Sequence, residues 1–94
     1  MATYVIFGEY SVDAMKDISA KRTEKALALI EKFGGKFIAG YALMGKPDLV
    51  LVLEFPDNSQ AMKTSAALTR LTGISFWTAP ALSFEQLDML VEDL

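Results

Sequence analysis

The sequence predicts an α+β fold of order βαββαβ: a four-stranded antiparallel sheet with two helices on one face and a short C-terminal helix added at the end. Three observations predict it. Four short runs rich in β-branched and aromatic residues alternate with two stretches of helical periodicity. The middle two runs, Gly40 to Met44 and Leu49 to Phe55, are separated only by Gly45-Lys46-Pro47-Asp48, with Pro47 and Asp48 suited to the centre of a tight turn, so they form a hairpin. The helical stretches fall on either side of that hairpin. Residues 1–94 read as a single domain, with no repeat, linker or low-complexity stretch.

Tyr4 to Phe7, continuing through Gly8 and Glu9 to Tyr10, is too short and too apolar for a surface helix and reads as the first strand. Ser11 or Asp13 caps one helix after it, along which Met15, Ile18, Ala26, Leu27, Ile30 and Phe33 make a stripe that Gly34-Gly35 stops. The second strand runs from about Lys36 to Met44 and the third from Leu49 to Phe55, where Pro56 ends it. Asp57 and Gln60 have capping-box spacing and introduce a helix from Asn58 to Thr72, stopped by Gly73. Ile74 to Leu82 is the fourth strand, and Pro80, which cannot donate a ladder hydrogen bond, puts it at an edge. Ser83 and Gln86 repeat the capping spacing before a stripe of Phe84, Leu87, Leu90, Val91 and Leu94. That last helix has to dock on something, because fewer than about 12 residues are marginal alone.

Composition narrows the function. A 94-residue chain buries only about 60 to 65% of its unfolded surface. Yet the chain is 52% hydrophobic and 22% charged, more apolar than one small core needs, and self-association covers the surplus. Cysteine and histidine are both absent. This removes disulfides, thiolate nucleophiles, Ser-His-Asp arrangements and the usual zinc, copper, non-haem iron and haem ligands, so neither a metal nor a cofactor is expected. A net charge of -3 argues against a nucleic-acid partner, and Lys16, Lys21, Arg22, Lys25 and Lys32 interleave with acids as a solvated face. The N-terminus shows no leader pattern, and the longest apolar run, Leu49 to Leu53, is far short of the roughly 20 residues that span a bilayer. A soluble, cytoplasmic protein is expected.

Along the hairpin, odd positions of strand two fall beside even positions of strand three. One face then carries Ile38, Gly40, Ala42 and Met44 with Leu49, Leu51, Leu53 and Phe55; the other carries Phe37, Ala39, Tyr41 and Leu43 with Val50, Val52 and Glu54. The first packs under the helices. The second packs on the sheet of another subunit, giving a homodimer through sheet faces, with a higher oligomer left open.

Several short motifs carry a resemblance: Thr3-Tyr4-Val5, Glu31-Lys32-Phe33-Gly34-Gly35-Lys36, Gly45-Lys46-Pro47-Asp48-Leu49-Val50, and Glu54-Phe55-Pro56-Asp57. Together, over almost the whole chain, they resemble the GYD-domain family. The resemblance implies a ferredoxin-like domain of the dimeric α+β barrel superfamily, which includes cofactor-free monooxygenases, muconolactone isomerase-like enzymes and the effector-binding domains of leucine-responsive regulators. Gly45 and Asp48 match the family signature, but Pro47 stands where its tyrosine belongs. The turn therefore reads as structural, with Gly45 for unusual φ and Asp48 for local backbone hydrogen bonds.

Candidate chemistry lies on the strands. Glu54 is a carboxylate on an otherwise apolar face, where it must pair, protonate or meet a ligand, and Tyr41 lies within hydrogen-bond reach on the same face. Together they suit a general base and an oxyanion donor; the plainer reading pairs Glu54, near the strand end, with Lys36 or with a cation of another subunit. Trp77 and Tyr4, with Tyr10, Phe76 and Phe84, supply either an aromatic core or the wall of a small apolar cavity. Three functions follow: a dimeric, non-catalytic module that binds a small molecule or regulates; a cofactor-independent monooxygenase or isomerase for a small apolar or aromatic substrate; or a purely structural assembly protein. A cavity of roughly 300 Å³ or more walled by Tyr41, Glu54 or Trp77 separates the first two from the third.

Overall fold

The computed structural model describes all residues from Met1 to Leu94. In chain order the elements are β1 (Ala2–Tyr10), α1 (Val12–Lys16), α2 (Ala20–Lys32), β2 (Lys36–Ala42), β3 (Leu49–Phe55), α3 (Asn58–Thr72), β4 (Ile74–Ala81) and α4 (Phe84–Leu90). The strands form one antiparallel sheet in the order β2-β3-β1-β4. The expected α+β architecture is present, and β4, which holds Pro80, is an outer strand. No helix is long and apolar enough to cross a membrane.

The helix expected after β1 is two helices. Ser11 Oγ accepts from Ala14 N and opens α1, and Ser19, in extended conformation, accepts from Arg22 N and opens α2. Serine at the second break does what it does best, satisfying a free N-terminal amide instead of continuing a helix. Met15 and Ile18 consequently leave the stripe and are about half exposed. At α3, Asp57 Oδ1 accepts from Gln60 N at 2.9 Å, but the return bond of the box is missing and Gln60 Oε1 is buried without a partner. The box closes fully only at Ser83 and Gln86.

Two-residue periodicity builds the core. Tyr4 and Ile6 of β1, Leu53 and Phe55 of β3, Ile30 of α2, and Ala61 and Leu68 of α3 form the main cluster. Ala14, Leu49 and Ile74 form a smaller one. Tyr4 meets Phe55 edge to face at 5.9 Å. Gly35 lets Phe55 in: a Cβ there would collide with the Phe55 ring and lie 2.9 Å from the Ile30 carbonyl oxygen. Gly35→Ala is expected to cost about 1–3 kcal/mol of stability, read from urea unfolding, because ring and helix terminus both have to shift.

The hairpin departs from its expected register. β2 ends at Ala42, and Leu43 N donates to the Asp48 carbonyl at 2.7 Å, leaving a four-residue loop, Met44 to Pro47, in place of a two-residue turn. Met44 is fully exposed in this loop and does not lie under the helices. Odd still pairs with even at Ala39↔Val52 and Tyr41↔Val50, but a bulge at Ile38 shifts the strand end so that Phe37 pairs with Leu53 and Lys36 with Glu54. One extra residue turns the following side chains to opposite faces. Phe37 thus lies on the helix side, against Gly40, and Ile38 is 46% exposed instead of buried beneath the helices.

Candidate functional site

The sheet face away from the helices is crossed by two apolar rows, Ala39-Val52-Val5-Ala79 and Tyr41-Val50-Phe7-Trp77. Phe7 and Trp77 stack at 6.0 Å, and Trp77 remains 47% exposed. Polar residues close the face at both ends, Lys36, Glu54 and Thr3 at one and Glu9 and Ser75 at the other. Glu9 also holds Lys46 at 3.3 Å across exposed surface, a contact worth little to stability.

Glu54 and Tyr41 share this face but do not meet. Tyr41 stands opposite Val50 and Glu54 opposite Lys36, four residues along β3, or about 13 Å. The longer loop accounts for the correction, since it slides Tyr41 toward the loop end of β3. Tyr4 lies on the other face, 2% exposed, with its hydroxyl donating to Asn58 Oδ1 at 2.5 Å. Asp48 Oδ2 accepts from Tyr10 N at 2.8 Å while Asp48 N donates to the Gly8 carbonyl at 2.9 Å, tying the loop to β1; Gly45 adopts φ 108°. The four strand residues named from the sequence therefore do not converge on one site.

A cavity of about 280 Å³ lies instead between α2 and the sheet. Its presence follows from small side chains: Gly40 and Ala42 on the helix side of β2, and Ala26 on α2, leave unfilled the space that larger residues would occupy. Leu49 and Leu51 of β3 with Ile74 and Phe76 of β4 line its sheet side, and Leu68 and Thr72 of α3 close one end. Its exposed residues are Thr23 and Leu27 of α2 and Phe37, Tyr41 and Ala42 of β2, so the mouth opens along the β2 edge. Arg22 stands at the rim, its Nη1 donating to the Ala14 carbonyl at 2.6 Å. No carboxylate lines the cavity.

A second cleft of about 480 Å³ lies between α3 and β4 and is more polar, with Tyr4, Asn58, Ser65, Thr69 and Thr78 on its wall. The Thr78 hydroxyl there is buried without a partner. Of the residues named from the sequence, Tyr41 and Tyr10 border the first cavity, Tyr4 the second and Phe76 both; Glu54, Trp77 and Phe84 line neither. The sequence placed Leu27 in the apolar stripe and Arg22 on a solvated face without marking either as a cavity residue, and Thr23 carried no signal of its own. No three acidic side chains come together in a metal-binding group.

Among solved structures, the chain resembles the leucine response regulatory protein LrpA of Mycobacterium tuberculosis, with a TM-score of 0.58 at 8% identity over 87% of this chain and 51% of that one. A structure of a glutamate-to-alanine point mutant gives 0.57 at 10% identity, covering 87% and 50%. At such identities the likeness is one of fold, and this chain spans about half the length of either protein. No curated protein matches by sequence. The GYD domain pattern matches residues 4–91, nearly the entire chain, and the protein belongs to the GYD-domain family.

Proposed function

We propose that the protein is a soluble, cytoplasmic homodimer that binds a small apolar molecule in each subunit, as a regulatory or carrier module without catalysis. The cavity between α2 and the sheet carries this reading: it is mostly apolar, has an open mouth, and approaches the size of natural ligand sites. Its polar groups are hydroxyls and one guanidinium. Proton abstraction from a bound substrate wants a carboxylate or imidazole within hydrogen-bond reach, and neither lines the wall. The distance between Glu54 and Tyr41 likewise weighs against the isomerase or monooxygenase alternative. Likeness in fold to a leucine response regulatory protein supports regulation as the purpose of binding.

The dimer rests on the open sheet face, whose two apolar rows would otherwise stay in water. In native mass spectrometry, freshly purified protein is expected at twice the chain mass, with an apolar molecule retained or with Nile red taken up when added. Ala26→Phe, which fills the cavity from α2, is expected to abolish uptake and leave the dimer intact. A wild-type protein that takes up no probe, or a variant that takes it up equally, overturns the cavity as the site.

A further inference from the structure

Helix α4 is fully formed but contributes nothing to the buried core. Both halves of its capping box are made, and the turn continues through Val91 and Leu94, whose amides donate to the Leu87 and Val91 carbonyls. Yet none of its residues is buried: Phe84 is 86% exposed, Leu90 66% and Leu94 99%. The projecting helix leaves the chain extended, with a radius of gyration of 14.4 Å where a compact domain of this length has about 12 Å. A helix this short is marginal in water, so the apolar stripe Phe84, Leu87, Val91 and Leu94 requires a groove to lie in.

The molecule has an apolar mouth of matching character that its own α4 cannot reach. The mouth lies on the β2 edge, and α4 leaves from β4 at the opposite edge, three strand spacings or about 14 Å away. It also leaves from the Ala81 end, four residues below the Trp77-Tyr41 row. Only Leu82 and Ser83 join β4 to a helix of about 10 Å, and α3 and α2 stand between. Charge points the same way. Residues 83–94 hold Glu85, Asp88, Glu92 and Asp93 and no base, whereas residues 1–82 hold all nine Lys and Arg against eight acids. Beside the mouth, α2 carries Lys21, Arg22, Lys25 and Lys32 against Glu24 and Glu31, and Lys36 begins β2.

We propose that α4 is an exchanged arm: in the dimer it crosses to the second copy and lies along the α2-β2 edge with its apolar stripe over the cavity mouth. Two sheets stacked about a two-fold axis parallel to the strands bring the β4 edge of each beside the β2 edge of the other, with the Ala81 and Lys36 ends together. The arm then starts below the mouth and runs toward it, and the exchange closes at two subunits. Each cavity is walled by both chains, so an apolar ligand is sealed from water only in the assembled protein. This inference rests on the dimeric binding-module reading.

The chain has no native cysteine, so introduced thiols report without interference. Leu87→Cys and Leu27→Cys chains, purified separately, are mixed, equilibrated and treated with a short thiol crosslinker, with light scattering in parallel. The expected product is a covalent pair of both chains, abundant in the mixture and at least tenfold scarcer for either variant alone. Thr23→Cys, one helical turn away, replaces Leu27→Cys if that variant does not fold. A dimeric mass without the mixed crosslink overturns the exchanged arm and leaves the dimer standing, as does a crosslink formed within a single doubly substituted chain. A monomeric mass overturns the dimer reading and the arm with it.

Discussion

Replacing Val52 by aspartate is expected to leave the protein as single chains of 10.3 kDa in light scattering, where the proposed dimer would run at twice that mass. Val52 sits in the middle of the open face, between Ala39 of β2 and Val5 of β1. In the separate chain an aspartate at this position points into water and costs the fold little. In the proposed stacked dimer the two-fold axis would bury two such carboxylates among apolar rows, with Lys36, already opposite Glu54, the nearest cation; the penalty is several kcal/mol, and each 1.4 kcal/mol weakens association tenfold. The substitution should therefore weaken association by a hundredfold or more. Trp77, the single tryptophan, lies one row away on the same face and gives a second readout: its emission should shift to the red in the variant and on dilution of the wild type. A variant that keeps the dimeric mass would show that another surface holds the subunits together.

Phe55→Ala is expected to remove about 3–5 kcal/mol of folding stability. The side chain is fully buried, lies against the edge of Tyr4, and fills the space that Gly35 leaves open. Nothing nearby can collapse into the cavity, because Gly35 has no side chain and the Ile30 carbonyl beside it is fixed by the Gly35 amide at 2.9 Å. For a domain of this size the loss approaches the whole stability. Urea unfolding should show a midpoint lowered by more than about 1 M, or no folded baseline at all. Ile38→Ala, at the exposed bulge, should change stability by less than about 0.5 kcal/mol and serves as the contrast.

The strands and the terminal stops of the helices were legible because each is a local property: apolar runs, Pro56, Gly73, and the caps at Ser11, Asp57 and Ser83. Features that depend on how segments meet were not. The break at Ser19 is hidden because apolar residues recur at helical spacing on both sides of it, and only the backbone reveals that the serine side chain has taken a new helix's amide. The bulge at Ile38 leaves no mark in composition, and it alone reverses the face of Phe37. Glu54 and Tyr41 looked adjacent because the loop was counted as two residues; with four, their pairing dissolves. The cavity was partly written in Gly40, Ala42 and Ala26, but small residues become a volume only once the height of α2 above the sheet is fixed.

The Ile38 bulge has a further consequence when set beside Pro80. These two irregularities lie on β2 and β4, the strands with free edges. A flat, regular edge is a template on which another chain can add a strand, and then another, without end. Here one free edge is kinked by an extra residue and the other lacks an amide where a ladder would continue. A chain this rich in apolar strands is thereby steered away from growing sideways into fibres, which leaves the open sheet face, as in the proposed dimer, the surface by which copies would meet.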